Sequence, residues 1–309
     1  MTESVPLTHD GGDFSSVPSR IVASWPAPAF VENVAVGPDG SVFVTVHSNN
    51  RIDRYDPKTG KTSVFVELPS PPMGLALDES GAFWVTGSTM KAPPGYIWKI
   101  SAKGEVQHWT DLPGATFMNG CAIHPHRREL LACESRSGRV LSIDLRERNK
   151  WSVWLEDELI GPGESPRTPG ANGIKIRGGI AYITVSARHL IVRAPIRADC
   201  SAGPIETVWR DILGDDFAFG ESGSLYITTH PMQTLVRIDP SGKRTTIAGP
   251  GQGMVGSTAC AFGAAPGDER ALYVSTDGGF IVPHEGVVQD AKLVRLVVGE
   301  SGYRLLGQR

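Results

Sequence analysis

Six positions in this chain could meet at one spot and do chemistry: Glu32, Met73, Asn119, Asn172, Asp215 with Asp216 beside it, and Ser257. Apart from Met73, all carry oxygen, and none is a soft nitrogen or sulfur ligand. Two or three carboxylates with two amide carbonyls are the inventory of a hard divalent cation. Ca²⁺ suits it best, because it accepts six to eight oxygens in irregular geometry. Mg²⁺ and Mn²⁺ are further candidates, as is Zn²⁺, although zinc favours His or Cys. A second set of side chains follows the first along the chain: His47, Ser88, Glu134, Ser186, His230 and Asp277. His47 and His230 can carry protons near neutral pH, and Arg188 and Lys91 could steer an anionic substrate.

Each feature also has a plainer reading. Asn-Gly is the commonest tight hairpin turn, so Asn119-Gly120 and Asn172-Gly173 could be turns and nothing more. Yet each precedes an apolar strand whose own turn comes about six residues later, which puts both pairs at strand entry. Asp215-Asp216 alone would be a solvated corner, and a His ending a strand is usually a hydrogen-bonded rim residue. The metal reading rests on all of them recurring at one register.

That register belongs to a repeat. First strands are expected to begin at Glu32, Met73, Asn119, Asn172, Asp215 and Ser257, roughly 41 to 53 residues apart, the period of four-stranded propeller blades. In each unit an apolar strand meets a turn rich in Gly, Pro or Asp, and a β-branched and aromatic strand returns. The fold expected is all-β: one six-bladed β-propeller over residues 19–309, with residues 1–18 as a flexible arm. An open ring would expose two strand edges. Ser19 to Ser24 therefore reads as an outer strand that closes the ring in the last blade, beside Tyr303 to Leu306.

Topology then locates the site. In a meander, the starts of first strands, the second-to-third loops and the blade-to-blade connections share one face. The long segments Ser88 to Pro94, Asp157 to Gly170 and Asp277 to Asp290 fall there, and long loops on a rigid scaffold carry function. Ile196 to Pro204 and Ala264 to Arg270 fall on the other face. So do His124 and His126, which are set aside as catalytic groups.

Bulk properties exclude several classes. With 309 residues, 20% charged and net charge −3, the chain carries no polyanion footprint, so no nucleic-acid partner is expected. No apolar run approaches the roughly 18 to 20 residues of a membrane span, and the polar, acidic N-terminus has no targeting signature. The four cysteines show no zinc spacing and read as free thiols. The expectation is a cytoplasmic monomer acting on a small molecule.

The residues that head the strands resemble the senescence-marker-protein/gluconolactonase family of six-bladed propellers, relatives of the paraoxonases. The likeness spans roughly residues 20 to 300. It rests on Glu32, Asn119-Gly120, Asn172-Gly173-Ile174 and the run Asp215-Asp216-Phe217-Ala218-Phe219, with Gly256-Ser257-Thr258-Ala259 and Thr276-Asp277-Gly278-Gly279 resembling a subset. It implies one catalytic Ca²⁺ or similar ion held by Glu32, Asn172 and Asp215, with Asn119 and Asp216 direct or through water. Two departures stand out. Glu32-Asn33-Val34 replaces the family's Glu-Gly-Pro or Glu-Ser-Pro, and Asp215-Asp216-Phe217 replaces Pro-Asp-Gly.

The reaction expected is metal-dependent hydrolysis of lactones or related cyclic esters. The ion would polarise the carbonyl, and Asp215 or Asp216 would activate water, with His230 the next candidate. His47, Met73, Ser88, Glu134, Ser186 and Ser257 would line the substrate pocket. No GxSxG elbow indicates a serine nucleophile. The alternatives are non-hydrolytic cyclisation, condensation or isomerisation, as in the similar propellers of strictosidine synthases, and a binding propeller without chemistry.

Overall fold

A computed structural model of the chain describes residues 13–124, 127–164 and 168–305. Apolar first strands and alternating outer strands give six sheets, each an antiparallel meander of consecutive strands, to two of which an N-terminal strand is added at the edge. The blades open with first strands Val31–Val36, Pro72–Leu77, Met118–Ile123, Ala171–Arg177, Phe217–Phe219 and Ser257–Phe262. These lie within two residues of the expected starts. Among the described residues, helix is confined to short 3₁₀ turns such as His47–Asn49 and Ser186–Arg188.

The apolar core is divided into six wedges, one between each pair of neighbouring blades. First and second strands are therefore buried on both faces and read as continuous apolar runs. Fourth strands such as Lys61–Glu67 are largely exposed.

The ring closes as expected. Ser19–Trp25 pairs antiparallel with Ala291–Val297 and is the outermost strand of blade six. Tyr303 to Leu305 take no place in that blade. Tyr303 N donates to Phe219 O, and the segment lines the axial cavity instead; Leu306 lies outside the described residues. Of the expected arm, Asp13–Phe14 pairs parallel with Arg244–Ala248, and Ser15 N and Val17 N extend that contact to Thr246 O and Ile247 O. Residues 13–17 thus belong to the edge of blade five rather than to a free arm.

Two devices set the residues at the axis. The register of the first strand shifts between Val31 and Val34, Pro72 and Leu75, Met118 and Cys121, and Ala171 and Ile174. Each irregularity brackets a strand-heading residue and turns its side chain toward the axis, as β-bulges do. The next residue is packed backbone to backbone against the following blade. A Cβ on Gly74 would lie 2.5 Å from Asn119 O, one on Gly120 2.8 Å from Asn172 O, and one on Gly173 2.9 Å from Asp215 O. The Asn-Gly pairs are therefore sites of close approach inside strands, not hairpin turns. Threonines of second strands staple neighbouring blades: Thr45 Oγ1 donates to Met73 O (2.8 Å) and Thr86 Oγ1 to Asn119 O (2.6 Å).

Candidate active site

The bulged strand entries bring Glu32, Asn33, Asn119, Asn172, Asp215 and Asp216 to the axis on the loop-rich face, each no more than 7% exposed. Asn172 Nδ2 donates to Asp215 Oδ1 (2.7 Å) and to Ser186 Oγ (2.9 Å). Asn119 Nδ2 donates to Ser135 Oγ at 3.3 Å. His230 joins them from the end of Leu225–Thr229. Its Nε2 donates to the buried carboxylate of Asp277 (Oδ2, 3.0 Å), and its Nδ1 lies 3.9 Å from Asp215 Oδ2. Asp277 is itself fixed by Gly279 N (2.7 Å) and seated against Gly256, where a Cβ would fall 1.6 Å from its Oδ1.

The cluster carries an excess of buried negative charge. Burial, followed by the neighbouring Glu32 and Asp216, pushes the Asp215 carboxyl well above the ordinary carboxylate range. Burial likewise raises Glu32 to about 7, with His230 opposing and Asp277 and Asp216 reinforcing the rise. One carboxylate is compensated: Lys175 Nζ donates to both oxygens of Asp216, at 2.5 and 2.7 Å, and Asn33 Nδ2 lies 3.4 Å from Oδ2.

Those facts test the fit of a hard divalent ion. Glu32 and Asp215 suit one, being buried carboxylates without a lysine or arginine ion pair among the described residues, and the amide of Asn172 stands beside Asp215. Asp216 does not, because a buried ammonium already holds both of its oxygens. Among the described residues no three His, Cys, Asp or Glu side chains are placed to hold one ion.

The remaining expected residues are distributed differently. Met73 is buried at the ring position of blade two. Ser88 Oγ accepts from Met118 N, Ser186 Oγ donates to Gly214 O, and Ser257 Oγ donates to Thr234 O; all three brace the strand entries. Glu134 is fully buried and anchors a loop, accepting from Thr116 N, Phe117 N, Ser137 N and Ser137 Oγ, so its oxygens face its own blade rather than a substrate. His47 Nδ1 pairs with Pro72 O, its ring meets Phe30 edge-on, and burial lowers its proton affinity. His124 is buried at the opposite face, as expected, and His126 lies outside the described residues.

Lys175 and Asn33 are the residues that sequence reasoning missed, and for Lys175 a signal existed. Ala35, Ala76, Ala122 and Ala218 each stand three residues after a strand-heading residue and line an axial cavity of about 450 Å³ beneath the cluster. Lys175 holds that register in blade four and is the one charge in the series. Cys121 and Cys260 line the same cavity, and burial pushes the Cys121 thiol to about 12 and raises that of Cys260, so neither is a thiolate nucleophile near neutral pH.

No protein-family model matches the chain. A "Putative hetero-Diels-Alderase" from a Phoma species is 21% identical, over 94% of this chain and 95% of that one. Among solved structures, a luciferin-regenerating enzyme superposes with a TM-score of 0.72 at 13% identity, over 94% of this chain and 99% of its own. A "putative gluconolactonase" gives 0.69 at 13%, over 94% and 96%. The calcium-binding protein regucalcin from Agrobacterium tumefaciens gives 0.69 at 16%, over 96% and 99%. At such identities the likeness shows a shared fold, the six-bladed propeller of gluconolactonase and regucalcin.

Proposed function

We propose that the chain is an enzyme that opens lactones or related cyclic esters with water at the axial cluster, with Ca²⁺ or a similar divalent ion as cofactor. The observation that carries this reading is Asp215: a buried carboxylate with raised proton affinity, facing the open nitrogen of a histidine whose other nitrogen is tied to Asp277. Glu32, Asp215 and the amides of Asn119 and Asn172 would hold the ion, which when bound supplies Lewis acidity toward the ester carbonyl. Asp216 has no part in holding it.

The chain's own groups move the proton. With Nε2–H donated to Asp277, neutral His230 presents a lone pair at Nδ1. That nitrogen can take a proton from the attacking water and return it to the leaving alkoxide. The ring that carries the proton in between lies between Asp277 and Asp215. Asp277 holds the ring in the required tautomer, the role of the carboxylate in a Ser-His-Asp triad. His230 therefore precedes Asp215 as the general base, and Asp216, held by Lys175, is set aside.

A second reading is favoured by the resemblance to the Diels-Alderase and by the lysine-held Asp216. It keeps the acid–base groups but closes a ring without water and without an ion. A panel of lactones, assayed with and without chelator, separates the two. Chelator-sensitive hydrolysis supports the first, whereas chelator-insensitive turnover of a non-ester replaces it with the second.

A further inference from the structure

The second-to-third loop of blade six begins at the cluster and ends in an apolar display. Asp277, its first residue, is buried against His230. Beyond it Phe280, Ile281, Val282, Val287 and Val288 are 42, 55, 43, 58 and 36% exposed, five of the eleven large exposed hydrophobic residues among those described. The others, such as Ile21, Val64, Val106 and Val153, are scattered over outer strands. Single exposed apolar residues need no explanation, but a contiguous apolar patch marks a binding surface.

The loop is held in this posture. Gln233 Nε2 donates to Val282 O (3.2 Å), Gln289 N to Gly278 O (2.8 Å), Val287 N to His284 O (2.9 Å) and Ala27 N to Asp290 Oδ1 (3.0 Å). Phe280 stacks on Phe30 at 5.7 Å and 7°, and Phe30 meets His47 edge-on at 5.3 Å. Aromatic contacts therefore lead from Phe280, across Phe30, to His47, and the same loop carries Asp277, which holds His230. A surface for an unrelated partner would need no such link to the carboxylate that holds His230.

We propose that the substrate is a predominantly apolar small molecule with a single ring carbonyl or ester. Its hydrocarbon part is covered by Phe280, Ile281 and Val282, with Phe30 and His47 alongside, while its polar end enters the carboxylate cluster. This rests on the reading of that cluster as the catalytic site. Small polar lactones and sugar lactones gain nothing from the loop and are poor substrates.

The probes are γ-dodecalactone and γ-butyrolactone, which share a ring and differ by eight methylenes. With the full chain and Ca²⁺, calorimetry should show binding of the C12 lactone and none of the C4 lactone at equal concentration. The ratio of kcat/KM should favour the longer by about 100-fold. The double variant Phe280→Ser, Ile281→Ser should reduce that ratio by about tenfold or more, and Phe280→Leu should retain it. If the C12 lactone binds, loses affinity in the double variant and yet is never hydrolysed, the hydrolase reading fails and the apolar substrate class stands. If both lactones are hydrolysed with equal kcat/KM, the apolar class is overturned and the hydrolase stands. If the double variant converts an oligomer to a monomer in sedimentation and leaves the ratio unchanged, the patch is a subunit interface and the proposal is wrong.

Discussion

Lys175 and Asp216 are joined by two charge-assisted hydrogen bonds of 2.5 and 2.7 Å, and each breaks the repeat at its own register. Lys175 stands where four other first strands place Ala and the sixth places Cys260, and Asp216 stands where blades two, three and four place Gly74, Gly120 and Gly173. The two departures form a buried pair, with side chains 12 and 4% exposed. Removing one partner leaves an uncompensated buried charge, whereas removing both returns the axis to its repeat.

Lys175→Ala should therefore cost about 3–5 kcal/mol of stability, with Asp216→Gly also destabilising. The double variant should be more stable than Lys175→Ala, with a coupling energy of at least about 2 kcal/mol in a denaturant-unfolding cycle. Additive single effects would show that the pair is incidental.

His230→Gln should lower kcat by about 10²–10⁴-fold while shifting the melting temperature little, because the ring makes one hydrogen bond to Asp277 at the edge of the cluster. Asp277→Asn should lower kcat by about 10²-fold or more, through the wrong tautomer. Steady-state kinetics on a lactone that the wild type hydrolyses checks both. Full activity in His230→Gln would move the general base to Asp215.

Much of this was legible in the chain itself. The blade period, the closing strand and the axial ring all follow from apolar strands punctuated by turn residues, and strand alternation survives translation into structure. What failed to show was side-chain direction at the strand ends. Glu134, read as pocket lining, points back into its own loop, because Thr116, Phe117 and Ser137 leave donors there that only a buried acceptor can satisfy. Lys175 was overlooked because a lysine between two isoleucines reads as an exposed position of an alternating strand. Only alignment with Ala35, Ala76 and Ala122 reveals that the position is axial. The glycine of Asn-Gly was ambiguous for the same reason: a turn and a close backbone approach both demand it, and sequence carries no record of the neighbouring blade.

The cation-free protein should become less stable as pH rises from about 5 to 8. Glu32 is raised from 4.5 to about 7 in the folded chain. Its contribution is fully present below about 4.5, where both states are protonated, and drains away as pH rises through about 7, because the buried carboxylate must then carry its charge. The difference is about 3 kcal/mol at most. Ca²⁺ should reverse the loss, raising the melting temperature more at pH 8 than at pH 5.5, since protons compete for the same oxygens. Glu32→Gln should flatten the profile without Ca²⁺ and shrink the Ca²⁺ effect. Melts in chelator and in excess Ca²⁺ at both pH values give the answer, and an equal shift at both would remove Glu32 from the binding set.

Gly256 is the residue whose replacement should separate support of the site from support of the fold. Its φ of +66° favours glycine, and a Cβ there would lie 1.6 Å from Asp277 Oδ1. Gly256→Ala must push Asp277 away from His230 or shift the backbone, so kcat should fall toward that of Asp277→Asn. Backbone strain alone could also unsettle the blade. Gly253→Ala supplies the comparison, because its φ is +89° and its Cβ would lie 3.1 Å from Val294 Cγ2 and farther from Ile21 and Lys292, none of which belongs to the cluster. Both variants should lose roughly 1–2 kcal/mol of stability from the left-handed backbone, but only Gly256→Ala should lose activity. Equal kcat in the two would mean that the seat of Asp277 does not govern His230, and the proton path through that pair would have to be abandoned.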